Sequence, residues 1–429
     1  MVYGVQVPGL TRDTQRVAVR GSLPAWLIGT LSRAILHSPP SMEPAHGAHL
    51  HTFSFRGGRV SYAHRQTNLH APDMEISYLA DPARTHFSPL VTVFSHTPAD
   101  HARSMMSRAD AHLAAYRVQP LPVEFEPALG IPQPPFAPAT PNTLLARAGI
   151  GAGEVRVYHA KPRGIERFAS VAAEPTPYLA SLCQTPHYLV ITMLPFICDT
   201  TRLSEARGLI DCYRWMPALG AQFVVLERET GKIVGRWDAD AFFAFHTVQA
   251  FERGGELVVD LVAYPDASVI TQPEQPAQGI LRRYRLMPGA RRAPFDIMSN
   301  VCIELPRGAN RVAHGEQSVV YGVSRHIPQE GVASALSGYN QLVRIDLNSG
   351  RDRIWTAAGC SPGEPIIVRR PGAKRDDDGV VLSLVWDAAR EAAFMLVLDA
   401  TSFAEIGRAA LPQTSMRMET DHIPYTLIQ

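Results

Sequence analysis

The amino-acid sequence predicts an all-β fold, a propeller or a sandwich, and three observations carry that reading. Short runs of Val, Ile, Leu, Tyr and Phe recur along the chain, 35 prolines and 31 glycines punctuate them, and one hairpin pattern repeats. Strands on a half-buried sheet need such runs, and Gly, Pro, Asp and Asn supply the turns between them.

From the N-terminus, the first clear unit is Phe53-Ser-Phe55, Arg56-Gly57-Gly58-Arg59 and Val60-Ser-Tyr62. It predicts a hairpin, because a Gly-Gly pair tolerates the positive φ of a two-residue turn. Residues 71–141 break the pattern. Met105, Met106, Ala111, His112, Leu113 and Tyr116 show little alternation, and a proline-rich stretch runs from Pro127 to Pro141. This region predicts a partly helical cap, inserted in a single domain spanning 1–429 and suited to cover a pocket.

The repeat follows. Phe223–Glu227 leads through Thr230-Gly231 into Ile233–Arg236, Leu342–Asp346 through Ser349-Gly350 into Arg353–Trp355, and Met395–Asp399 through Ser402 into Glu405–Arg408. Each is an apolar strand ending in an acidic residue, a tight turn and a return strand. The acidic residues stand 119 and 53 positions apart, the spacing of two propeller blades and of one. A hairpin recurring in a sandwich would give the same signature, so both architectures stay open on the repeat alone.

Composition narrows the function classes. Hydrophobic residues make up 46% of the chain and charged residues 19%, enough apolar surface for a sizeable core. Lys plus Arg number 41 against 40 Asp plus Glu, so nothing electrostatic favours nucleic acid as a partner. The five cysteines form no C-x-x-C pair, which argues against a disulfide framework or zinc site and for a reducing compartment. No secretory signal opens the sequence, and Tyr188 to Ile197, the longest apolar run, is about half of a membrane span. The expectation is a cytoplasmic protein, with peripheral membrane contact left open.

Four segments, in order along the chain, resemble the carotenoid cleavage oxygenase family, which includes retinoid isomerases and stilbene-cleaving enzymes. They are Gly21–Leu31 with Arg33, His51–Tyr62, Phe245–Glu252 continuing to Glu256–Asp260, and Glu364–Ala373 continuing to Asp376–Leu384. Smaller matches at Trp215–Gly220 and Glu304-Leu-Pro-Arg307 fall between them. The resemblance implies a seven-bladed β-propeller with a helical cap, one blade region here being shortened. It also implies four histidines that hold one ferrous ion at the propeller axis, backed by carboxylates that fix the imidazole tautomers.

Matched position by position, the third ligand is His246. The second falls on Ala180, with His187 seven residues further on, and the fourth falls on Ile428 in the closing Ile423-Pro-Tyr-Thr-Leu-Ile-Gln429. The first belongs between Asn142-Thr143 and Tyr178, only 35 residues later, and no matching histidine stands there. Ala and Ile offer a metal no lone pair. The iron site is therefore expected to be lost and no cofactor is expected, Fe(II) entering only if other residues replace the ligands.

Other histidines could in principle stand in as metal ligands. His46, His49 and His51 cluster near the first hairpin, and His96, His101 and His112 lie in the cap; exposed or loop positions explain them better than a metal. The resemblance pairs Glu304 with His246, whereas the usual partner of Glu364 is the histidine replaced by Ile428. A Glu–His pair in a cavity can exchange protons with a ligand, which makes His246, Glu304 and Glu364 the candidate catalytic residues. Ala180, Ile428 and Phe245 are the candidate lining of a drier central cavity for an apolar polyene, isoprenoid or aromatic molecule. Cys183, Cys302 and Cys360 are expected to be buried, inert thiols. Three functions follow: a metal-independent isomerase, cyclase or pericyclic catalyst; a carrier of an apolar metabolite; or an Fe(II) alkene-cleaving dioxygenase with rearranged ligands.

Overall fold

The computed structural model describes residues 15–36, 46–69, 91–95, 123–125, 144–161, 164–180, 182–203, 209–272, 278–308, 316–326 and 339–412. These residues form six sheets, antiparallel except where Val123–Phe125 pairs with Leu144–Ile150. The first sheet is built on the hairpin His46–Arg56 and Arg59–Leu69, and the second on Leu144–Ile150, Glu154–Lys161 and Gly164–Ala172. The third runs Pro177–Leu179, Tyr188–Cys198, Ala221–Glu227 and Ile233–Ala239. The fourth runs Thr247–Arg253, Glu256–Ala263, Ile280–Leu286 and Phe295–Cys302; the fifth runs Glu304–Gly308, Val319–Ser324, Gln341–Asp346 and Asp352–Thr356. In the sixth, Cys360–Pro362 and Ile366–Arg369 flank Gly379–Asp387, followed by Ala392–Asp399 and Glu405–Ala410.

Successive sheets of four to six strands, built around antiparallel meanders, are the units of a propeller. The strand Val19–Gly21 pairs with Glu405–Ala410, so strands from the beginning and the end of the described residues share the last sheet. Edge strands adjoin from sheet to sheet: Thr247–Arg253 meets Glu304–Gly308, which meets Ile366–Arg369, which meets Val91–Ser95. Apolar packing follows the same order. One core cluster runs through sheets two to five, another joins sheets one and six, and a third joins five and six.

The repeated hairpins are the last two strands of sheets three, five and six, two sheets and one sheet apart. Their acidic residues act within the turn. The Asp346 carboxylate accepts bonds from the Asn348 and Ser349 amides and the Ser349 hydroxyl, and Asp399 accepts them from Thr401 and Ser402 in the same way. Four residues after each acid the backbone turns left-handed: Gly231 at φ 70, Gly350 at 68 and Phe403 at 61. Phe403 bears that strain while its ring stays buried against Tyr321. At the first hairpin, Gly57 and Gly58 both take positive φ, as the sequence requires.

Six sheets stand among the described residues, against the seven blades that the resemblance implies. Within the cap region 71–141, Val91–Ser95 and Val123–Phe125 are strands that join sheets one and two; the rest of that region, with His96, His101 and His112, lies outside the described residues, as does Ile428. Among the described residues no helix is long and apolar enough to cross a membrane.

Candidate active site

The positions singled out from sequence fall at equivalent places in successive sheets. Ala180 directly follows the first strand of the third sheet, His246 directly precedes that of the fourth, Glu304 opens that of the fifth, and Glu364 stands between the two short first strands of the sixth. In a propeller the first strand of each blade is the innermost.

His246 ends a buried run, Phe242-Phe243-Ala244-Phe245. Its carbonyl accepts a bond from the Val262 amide at 3.1 Å, which fixes the backbone, and its imidazole is 25% exposed. Nε2 lies 3.5 Å from Oε2 of Glu304, within ion-pair reach but beyond an ordinary hydrogen bond. A ring held this loosely stays open to a ligand.

Glu304, by contrast, is 6% exposed and held from two sides. Oε1 accepts the Tyr264 hydroxyl at 2.8 Å, and Oε2 accepts the Leu305 amide at 2.6 Å. Burial and the Glu304 charge push the Tyr264 phenol well above its ordinary value, so it remains neutral and a donor. Tyr339 is hydrogen-bonded to Tyr264 and shifted upward for the same two reasons. Sequence reasoning missed both tyrosines, because nothing in a strand pattern tells a phenol that bonds a carboxylate from one that merely packs.

Phe245 is buried in an aromatic wall. Its ring meets Phe243 at 4.9 Å and Tyr264 at 5.6 Å, edge to face, and Phe243 meets Tyr178 at 5.4 Å. Tyr178 lies two residues before Ala180, whose methyl is buried, so the wall links that alanine to the histidine.

Glu364 is also 6% exposed, and its partner is an arginine. The Arg307 Nε donates to Oε1 at 2.5 Å, and Nη2 closes on the same oxygen. The motif Glu-Leu-Pro-Arg held this residue in plain view, yet residues three apart on a regular strand face opposite ways, which hid the partnership. His187 is not part of this group. It is exposed and bonded to Glu252 at 2.8 Å, six strand positions beyond His246 or about 20 Å at ~3.3 Å per residue. His51 corrects the expectation of an exposed or loop histidine: it is fully buried, with Nδ1 2.8 Å from the Tyr62 hydroxyl. Of the three cysteines expected to be buried, Cys360 is, whereas Cys183 and Cys302 are only partly buried; none is in a disulfide, and desolvation pushes each thiol upward, Cys183 to about 12, which keeps them protonated.

Comparison with known proteins places the chain. A carotenoid cleavage dioxygenase 8 homolog from rice chloroplasts (Oryza sativa subsp. japonica) is 26% identical over 475 residues, covering 92% of this chain and 82% of that protein. The apocarotenoid-15,15'-oxygenase of Synechocystis is 28% identical over 265 residues, covering 57% of this chain and 49% of that one. Cobalt-substituted Synechocystis apocarotenoid oxygenase superposes with a TM-score of 0.65 at 20% identity, each chain being covered to 93%. A chimera of that enzyme with the retinal pigment epithelial protein gives 0.64 at 19%, with 94% coverage of both. The model of the retinal pigment epithelial membrane protein family matches residues 6–420, and with that match over nearly its whole length the chain belongs to this family of carotenoid oxygenases.

Proposed function

We propose that this protein binds an apolar polyene, isoprenoid or aromatic molecule at the propeller axis and catalyses a non-oxidative isomerisation, cyclisation or pericyclic step without a metal. The observation that carries the reading is the pairing of a partly exposed His246 with a buried, fully bonded Glu304 beside an aromatic wall. Relatives named for carotenoid and apocarotenoid substrates support an apolar ligand.

The residues at the inherited ligand positions do not fit a ferrous ion. Ala180 contributes a buried methyl, Ile428 is an alkyl side chain, and one imidazole cannot hold Fe(II) against water. The cation beside Glu364 is already supplied by Arg307.

The chemistry then needs only proton exchange and shape. The wall of Tyr178, Phe243, Phe245 and Tyr264 excludes water and holds one reactive conformer, which lowers the entropic part of the barrier. Nε2 of His246 delivers a proton to one carbon of a double bond, the cation that forms rotates or closes a ring, and the same nitrogen takes a proton back. No oxidant is consumed. Glu304 stabilises the imidazolium, and the amide and phenol donors keep that carboxylate in place. General acid–base help of this kind contributes about 10²–10⁴-fold.

The test is His246→Ala. Turnover lost with ligand affinity kept supports catalysis by His246; unchanged conversion would remove His246 from the mechanism, and binding without any conversion by the native chain favours a carrier. The oxygenase and dioxygenase names of the relatives support a second reading, an Fe(II) dioxygenase with rearranged ligands. Oxygen uptake that stops on chelation would favour it.

A further inference from the structure

The strand Glu304–Gly308 carries two charged residues that a regular strand would send to opposite faces. Here Glu304 stands opposite Val323 and Arg307 opposite Tyr321, so three steps on one strand match two on its partner across a bulge. The extra residue brings both side chains to one face. Leu305, at the bulge, takes φ 48, a left-handed conformation that costs a branched side chain energy, and its amide bonds the Glu304 carboxylate. From this one face Glu304 reaches His246 of the fourth sheet while Arg307 reaches Glu364 of the sixth.

The Arg307 side chain is 21% exposed, whereas that of Glu364 is 6% exposed. Two of its nitrogens converge on a single oxygen of Glu364, and its remaining N–H donors have no partner among the described residues. They are not buried, so they are open to a ligand oxygen. A guanidinium is planar and offers paired donors, the geometry that a carboxylate fits best.

We propose that Arg307 anchors a carboxylate at one end of the apolar ligand, which sets the distance from that end to the bond that His246 works on. The substrate class is then a polyenoic or isoprenoid acid rather than a hydrocarbon or an alcohol. This rests on the apolar-ligand reading above and adds a polar end to it. Arg307 would be a binding and specificity residue, separate from the proton exchange at His246.

The experiment titrates the full-length protein with two probes of one skeleton, all-trans-retinoic acid and all-trans-retinol, following quenching of tryptophan fluorescence. The native chain should bind the acid about tenfold or more tighter than the alcohol, the scale of a charge-assisted hydrogen-bond pair. Arg307→Met should bring the acid down to the alcohol and leave the alcohol within about twofold; Arg307→Lys should fall between. Glu364→Gln should act in the opposite direction, strengthening acid binding several-fold by removing the competing carboxylate. Equal affinities in the native chain, or a parallel loss of both probes in Arg307→Met, would overturn the assignment while leaving the apolar-ligand reading intact. Binding of neither probe would count against both. Should Arg307→Met fail to fold, Glu364→Gln decides alone: unchanged or weaker acid binding is then the contrary result.

Discussion

Two sets of ion pairs in this molecule use the same residue types in opposite ways. Away from the axis, Asp260 is fully buried; both its oxygens accept from Arg283 at 2.8 Å, and Gln249 adds a third bond at 2.6 Å. Arg283 also reaches Glu316, between the first two strands of the next sheet. Arg344 and Asp377 repeat that tie between the fifth and sixth sheets, at 2.8 Å with both side chains 8% exposed. Asp377 stands as far after Glu316 as Arg344 does after Arg283, so the device recurs with the blade. At the axis, His246 and Glu304 are 3.5 Å apart and the imidazole is partly exposed. Buried, close-set pairs hold the sheets together; a pair with one loose, accessible member is available for chemistry.

Mutation should separate the two sets, and the largest effect is expected at Asp260. Asp260→Ala leaves the buried Arg283 guanidinium with only the partly exposed Glu316 carboxylate at 3.2 Å, and losing one partner of a buried pair costs about 3–5 kcal/mol, read from the urea midpoint. Arg344→Met should cost less, about 1–3 kcal/mol, because Asp377 keeps Arg375 at 2.7 Å. If the two variants were equally destabilised, the second arginine would not be sharing that load.

Tyr264→Phe sits between the sets. It removes one of the two hydrogen bonds that fix Glu304, so a loss of about 1.5–3 kcal/mol is expected for a bond to a charged group, and turnover should fall with it. The smallest stability effect belongs to His246→Ala: less than about 1 kcal/mol by the same denaturant measurement, the range of a partly solvated pair. A large loss there would make His246 a structural tie like Asp260, and the contrast would fail.

How far the sequence carried these features depends on what each leaves in the pattern. The hairpins were legible because an acid, a turn and a return strand are all local; even the spacing of Glu227, Asp346 and Asp399 matched sheets two and one apart. The pairing of His246 with Glu304 was legible through family resemblance, since the two lie on different sheets and no local signal joins them. Arg307 was hidden by a bulge that reverses the alternation used to assign faces. Tyr264 and Tyr339 were hidden because their role lies in where a hydroxyl points, which apolar periodicity does not encode.

The metal-free account is tested most directly by anaerobic reconstitution of the full-length protein with Fe(II), followed by gel filtration and metal analysis. A chain with Ala180 and Ile428 where the resemblance places iron ligands should retain far less than one iron per molecule, and conversion should be the same with and without a chelator. Retention of one iron per chain, with conversion lost on chelation and regained on adding Fe(II), would contradict it.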